Sequence, residues 1–523
     1  MPEPPPRRVP EPPPRRFPDP PPRRLPDPPP RQVSEPPPQV PEPPSPPVPD
    51  LLPFGTSAVP ARDKTAWLVA EVRRAIAEGR LTPGARLPPS RTLATALRLS
   101  RGAVTEAYRR LTEDGHVEGR GRRGTVVRAV PRTVPPPRAS TPPPADPFAP
   151  ATGEAVFDAL RELPARIDLT PGRPDLTAFP RAAWLRATRA VLAQLPTASL
   201  GYGDPRGEPG LRTSLAHWLA RTRGLLVHPD DLLVVSGAAQ ALSLLGPVLR
   251  ADGIDQVAFE DPGSLGVRQH LRRTGFATPP VPVDHAGIRV DDLRATGARA
   301  VLLTPAHQFP TGVVTRGARR RALLRWASEG GLVLEDDYDA EHRYDRAPVP
   351  ALRTLLADRV CYLGSASKLL APALRLGWLV PPPHLRDALV EAKRFADLGN
   401  DVLAQHTFAR LIDSGDLERH VRQSRTRHRR RRDAMIAALA RHLPHAVVHG
   451  AAAGLHLTLT LDTPVPDTDV AAAALARGVK VQPLSWHRVR PGPPGLVLGY
   501  AAVPATAIEE GVAVLGAALR DLA

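Results

Sequence analysis

The stretch GSASKLLAPALRLGW, residues 364–378, holds one of only four lysines in a chain that carries sixty-six arginines. A surface cation could be either residue. Only a lysine can lose its proton and attack a carbonyl as a free amine. Lys368 therefore marks a place where amine chemistry is wanted, and its surroundings decide which kind. VCYLGSASK (360–368) reads as a strand that runs into a turn of small, hydroxylated residues. Seven residues past the lysine, Arg375 offers a planar fork suited to a phosphate.

Working outward, GLVLEDDYDAEHRY (331–344) is an apolar strand that ends in acidic residues and a tyrosine. Carboxylates at the carboxyl end of a buried strand are costly unless a cation meets them, which makes this stretch a site candidate. LLVVSGAAQALSLL (232–245) is a strand, a small-residue turn and a helix. The exposed N–H groups of such a helix start form an anion site. An amine for a carbonyl, a carboxylate for a pyridinium nitrogen, and an arginine with a helix start for a phosphate are the needs of pyridoxal 5'-phosphate (PLP) held as a Schiff base. Each element alone is weak evidence; the set in this order is strong.

From about Ile167 to the end, apolar strands alternate with amphipathic helices. That alternation predicts an α/β domain with a mainly parallel sheet and a smaller appended α+β subdomain. Residues 131–165 are rich in Pro and Ala and are expected to be a semi-rigid linker. Residues 1–61 form a Pro/Arg-rich tail, with an eight-residue unit (EPPPRRVP, EPPPRRFP, DPPPRRLP) and twenty-five prolines in the first fifty positions. Such a segment cannot build a core, so disorder with polyproline II character is expected.

Between tail and linker, residues 62–130 carry fifteen Arg or Lys against seven Asp or Glu. Leu68, Val72 and Ile76 recur at helical spacing. Ser90 is expected to cap a short second helix, and Ser100 a third whose Val104, Ala107, Tyr108 and Leu111 face inward. Arg101, Gly102 and Thr105 begin its outward face. HVEGRGRRGTVVRAV then supplies two strands around a basic, Gly-rich tip. Two helices about a tight turn, followed by a basic wing, predict a helix-turn-helix entering a DNA major groove.

These motifs resemble known families. LTPGARLPPSRTLATALRLSRGAVTEAYRRL with its wing is similar to the head of GntR-like transcription regulators. In that family DNA is met at positions that correspond here to Arg91, Ser100, Arg101, Thr105, Gly121 and Arg122. Residues 166–523 resemble a fold-type I aminotransferase, and LGSASK, EDDYD and PAHQFPTG are similar to the versions in MocR-type regulators, which fuse such a head to such a body. The resemblance implies that Lys368 forms the Schiff base, Asp336 pairs with the pyridine nitrogen, and Tyr338 bonds the ring hydroxyl. It further implies that Ala238, Ala239, Ser365, Ser367 and Arg375 hold the phosphate, that His307 and Gln308 contact the ring, and that Tyr202 reaches the neighbouring subunit's cofactor. Arg488 and Arg490 fall where aminotransferases keep a carboxylate-binding arginine. One departure stands out: Ser264, in EDPGSLG, occupies the place of the usual ring-stacking aromatic residue. A lost stacked ring costs about 1 kcal/mol of cofactor affinity unless another side chain supplies it.

The expected protein is a PLP-dependent, dimeric DNA-binding regulator that reads repeated half-sites and senses PLP, an amine or an amino acid. The alternative is a working aminotransferase with an accessory head. A net charge of +17 fits a polyanionic partner. A single cysteine, Cys361, excludes a disulfide framework, and sixteen scattered histidines show no metal-ligand spacing, so no metal is expected. With neither a signal-peptide pattern nor a long uncharged apolar run, a cytoplasmic location and no membrane contact are expected.

Overall fold

A computed structural model of the chain describes residues 63–121, 124–128, 146–344 and 349–522. The expected tail, most of the expected linker and Arg122 lie outside the described residues. The chain divides into two packed units near residue 140.

In the first unit, three helices (Lys64–Ala77, Ser90–Leu97, Arg101–Glu113) precede a hairpin of Val117–Gly119 and Thr125–Val127. Asp63 caps the first helix by accepting from Ala66 N (3.2 Å), and Ser100 caps the third by accepting from Ala103 N (3.1 Å). Ser90 is no cap. It is already helical, and the preceding Pro89, held extended by its ring, takes the boundary position with no side-chain bond. The four positions predicted to face inward on the third helix are buried with Leu68, Val72, Leu93 and Leu97. Residues 84–87 join the hairpin's second strand as a third, short partner. This is a winged helix.

The second unit is built on an eight-stranded sheet. In spatial order its strands are Leu233–Val235, Gly377–Val380, Val360–Ser365, Leu332–Asp337, Ala300–Leu303, Val257–Asp261, Pro280–Asp284 and Gly287–Ile288. The five strands from Val360–Ser365 to Pro280–Asp284 pair in parallel, while Gly377–Val380 runs antiparallel to both neighbours. Alternate residues feed cores on opposite faces: Leu334, Cys361 and Leu363 on one, Val333, Tyr362 and Val301 on the other. That double burial is why these strands read as continuous apolar runs. A smaller four-stranded antiparallel sheet (Val447–His449, His456–Thr460, Gly495–Gly499, Gln482–Pro483) packs with the C-terminal helix Ala505–Leu522. Ile167–Asp168 and Val479–Lys480 form a separate parallel pair. The expected α/β body with an α+β subdomain is what the chain forms.

The linker is shorter than expected. Residues 150–155 form a 3₁₀ turn and Val156–Glu162 a helix that belongs to the second unit. Phe148 stacks on Trp486 and Phe157 on His487, because aromatic residues amid the prolines give this segment something to bury. Among the described residues no helix is long and apolar enough to cross a membrane.

Candidate functional site

The parallel strands of the large sheet deliver their carboxyl ends to one rim, where open α/β sheets place their ligands. A cavity of about 750 Å³ opens there. Lys368, Asp336, Tyr338, Ser365, Ser367, Arg375, Ala238 and Ala239 all line it, so eight of the residues singled out from the sequence converge although they come from three separate segments.

The amine of Lys368 donates to the Gly172 carbonyl. Gly172 has φ +79, the left-handed backbone that favours glycine, and a Cβ there would sit in ordinary contact, 3.5 Å from the Lys368 Nζ. Burial pulls the Lys368 pKa below the usual lysine value. Asp336 ends the neighbouring strand and makes no side-chain hydrogen bond among the described residues. Burial, aided by Asp337 and Asp339, pushes its carboxyl up to about 7. A carboxylate so placed is short of a cation. Asp337 points to the other face, where Arg223 Nε and the Tyr362 hydroxyl each donate to its Oδ2 at 2.6 Å. Strand alternation thus gives one aspartate to the cavity and its neighbour to the core.

On the phosphate side, Arg375 donates to the Ser236 carbonyl beside the start of the helix Ala238–Ala251. Gly237 at that start has φ +83, and a Cβ there would lie 3.4 Å from the guanidinium. Helix start, guanidinium and the Ser365 and Ser367 hydroxyls make a compact set of donors. The residues present fit PLP: a recessed amine, an uncompensated carboxylate and an anion cradle share one cavity.

Two expectations are corrected. His307 and Gln308 do not line the cavity. His307 is buried behind it, with Nδ1 3.0 Å from the Tyr338 hydroxyl and 2.9 Å from Asp339, so it positions the tyrosine instead of meeting a ligand. Gln308 donates to the Pro262 carbonyl (2.8 Å) and bonds within its own loop. Arg488 and Arg490 also lie off the cavity: Arg488 bonds the Pro493 carbonyl, and Arg490 donates to Asp261 through its backbone. Tyr202 is 94% exposed and touches nothing in the cavity of its own chain.

Ser264 lines the cavity and caps the following helix by accepting from Val267 N (3.4 Å). An aromatic wall is supplied there by Phe157, from the segment expected to be linker. Glu260 also lines the cavity; it accepts from Thr304 N (3.0 Å) and Oγ1 (2.9 Å), and burial raises it to about 7. Neither residue was anticipated. Topology also gathers three scattered residues, His307, Asp339 and His456, with ligand-type atoms within 4.8 Å of one another. Their hydrogen bonds run within the protein, from His456 Nε2 to the Pro310 carbonyl (3.1 Å) and from His307 to Asp339.

In the winged helix, Arg91, Ser100, Arg101, Thr105 and Gly121 are all exposed. Arg109 is tied to Glu106 and Glu113, and Arg110 to Glu106. Arg91, Arg98 and Arg101 have no ion pair among the described residues, so their charge is free for a phosphate or a base edge.

Comparison with known proteins agrees with both halves. Residues 166–515 match the model for aminotransferase class I and II, and residues 65–127 the model for bacterial regulatory proteins of the gntR family. A probable rhizopine catabolism regulatory protein, MocR, of Rhizobium meliloti is 31% identical over 87% of this chain and 93% of its own length. The pyridoxine biosynthesis transcriptional regulator PdxR of Corynebacterium glutamicum is 32% identical over 86% of this chain and 94% of its own. Among solved structures, a kynurenine aminotransferase of Pyrococcus horikoshii is 28% identical, covers 70% of this chain and 93% of its own, and superposes with a TM-score of 0.64.

Proposed function

Because the chain belongs to the MocR-type family of GntR-like transcription regulators, which join a DNA-binding winged helix to a PLP-binding aminotransferase-like domain, we propose that PLP held in its cavity makes DNA binding responsive to a small amine or amino acid. The observation that carries this reading is the meeting of Lys368 and Asp336 in one cavity with the Arg375 and Ala238 anion cradle. Bound PLP supplies an electrophilic carbon that primary amines capture reversibly.

Each residue has a part in this reading. Lys368 provides the amine, its lowered pKa keeping more of it in the neutral, nucleophilic form. Asp336 would pair with the ring nitrogen, where a cation would restore the ionised state that burial disfavours. Tyr338, held by His307, would bond the ring hydroxyl. Arg375, Ser365, Ser367 and the N–H groups at Ala238 and Ala239 hold the phosphate. Arg91, Ser100, Arg101, Thr105, Gly121 and Arg122 meet the DNA. The protein works in the cytoplasm as a homodimer, whose two heads read repeated half-sites and whose exposed Tyr202 reaches the cavity of the neighbouring subunit. An effector changes DNA binding only by binding two arrangements of the heads with different affinity.

Fluorescence anisotropy on DNA from upstream of the protein's own gene, with scrambled DNA as control, tests this at two salt concentrations, with and without PLP. Preference for the upstream DNA that resists salt and changes with PLP is expected, since non-specific phosphate binding falls steeply with salt. Lys368→Ala should lose the PLP response and retain no cofactor after borohydride treatment. An unchanged response in that variant would remove amine chemistry from the mechanism.

A further inference from the structure

Lys480 is another of the four lysines, and no ion pair among the described residues accounts for it. It lines the same cavity as Lys368 and is only 5% exposed. Its ammonium donates to the Leu163 carbonyl and to nothing else among the described residues. Three donors with one acceptor is an incomplete shell for a buried charge. Asp168 faces Lys480 in the register of the parallel strand pair, yet it does not serve as counter-ion. Its oxygens are taken by Thr170 (2.6 Å to the hydroxyl) and by Arg173. Two residues on, Gln482 also lines the cavity, and the period-2 alternation of extended chain turns it to the same side. The Gln482 Oε1 is 3.2 Å from His487 Nε2, while its amide nitrogen has no partner among the described residues. Lys480 and Gln482 thus present unused N–H donors to the cavity that Lys368 also lines.

We propose that the effector carries a carboxylate as well as an amine, and that Lys480, with Gln482 beside it, receives the carboxylate. The inference rests on reading the cavity as an amine-responsive PLP site. A carboxylate would complete the ammonium's shell with a charge-assisted bond, which neither Arg488 nor Arg490 can supply from outside the cavity. An amine without a carboxylate gains nothing from Lys480.

The test uses the full-length, PLP-loaded protein and follows the absorbance of bound cofactor. The probes are glycine, β-alanine, 4-aminobutyrate and 5-aminovalerate, which differ only in the methylenes between amine and carboxylate, with n-butylamine as the carboxylate-free control. At least one amino acid should bind about tenfold more tightly than n-butylamine, and the spacing of the best one reports the reach between the two lysines. Lys480→Met should erase that advantage while leaving n-butylamine affinity within about twofold, and Lys480→Arg should restore much of it. A lysine that merely pins Leu163 would change the affinity for n-butylamine and the amino acids alike. Preference retained by Lys480→Met, or no preference in the wild type, overturns the proposal. Should Lys480→Met fail to fold, the wild-type comparison decides alone. A wild type that shows no cofactor absorbance overturns the underlying reading instead, and this one with it.

Discussion

The two folded units keep their charge in opposite ways. In the winged helix Arg91, Arg98 and Arg101 lie on the surface without an ion pair among the described residues, while Arg109 and Arg110 are neutralised locally by Glu106 and Glu113. In the body the charges are inside: Arg223 and Asp337 form a pair with almost no exposure, and Glu260, Glu335, Asp336 and Glu341 are all pushed up to about 7 by burial. An exposed charge binds a partner through a screened field and costs little to keep. A buried one is costly, and is worth keeping where it fixes a geometry or waits for a ligand. The head is therefore expected to tolerate substitution by losing affinity, and the body by losing stability.

The sharpest way to break that contrast is Arg223→Met. It leaves Asp337 buried, with the Tyr362 hydroxyl as its remaining hydrogen-bond donor (2.6 Å). The expected cost is about 3–5 kcal/mol of body stability, read as a lowered denaturant midpoint, with DNA affinity of the still-folded protein unchanged. A variant as stable as the wild type would mean that the interior charges are less decisive than their burial implies.

Asp336→Asn probes a charge of the second kind, one that waits. In the cofactor-free chain its pKa is up to about 7 against an ordinary 3.8. Between those values the folded chain holds a proton that the unfolded chain releases, so this residue's contribution to stability falls as pH rises through that window. The cofactor-free variant should accordingly gain on the wild type in melting midpoint from pH 5 to pH 8. With PLP bound, a pyridinium beside the carboxylate favours the ionised form, and the gain should shrink or reverse.

The same contrast governs what could be read from the residues in order. Helix caps, the inward stripe of the third helix and the basic wing are local features, so the head was legible almost to the residue. The exception is Ser90, where the preceding proline takes the boundary and leaves the hydroxyl nothing to cap. In the body, Lys368, Asp336 and Arg375 were legible because each sits at a break between an apolar strand and a polar turn. His307 lies in an equally suggestive loop, but its direction is set by Asp339 and Tyr338, thirty residues away, and it turns behind the cavity. Phe157 was hidden in a segment dominated by prolines. Lys480 carried the same signal as Lys368, a lysine in a chain of arginines, but lacked a motif around it.

In the head, effects should be smaller and visible in binding. Arg101 opens the recognition helix with no ion pair among the described residues, so Arg101→Ala should weaken specific binding by about tenfold. If the contact is to phosphate, the salt slope falls by about one and all sequences weaken equally; if it is to a base edge, preference between sequences relaxes. Arg109→Ala, already tied to two glutamates, should change affinity less than twofold. Equal losses for the two would mean that the head binds through its overall charge.

The smallest effect on DNA affinity should come from Tyr108→Phe, and it tests whether the two units are independent. The Tyr108 hydroxyl donates to the Pro88 carbonyl at 2.8 Å, buried, and so ties the recognition helix to the turn that starts the second helix. Phenylalanine keeps the ring in the core but leaves that carbonyl without its donor, a loss of about 1 kcal/mol. In a unit of this size that lowers the melting midpoint by about 4–8 °C. Calorimetry of the full chain should show the head's transition moving and the body's standing still, with DNA affinity at 25 °C nearly unchanged because the hydroxyl faces away from the groove. If both transitions move together, the head is stabilised by the body, and the separation between surface charge for binding and interior charge for sensing would have to be redrawn as one coupled system.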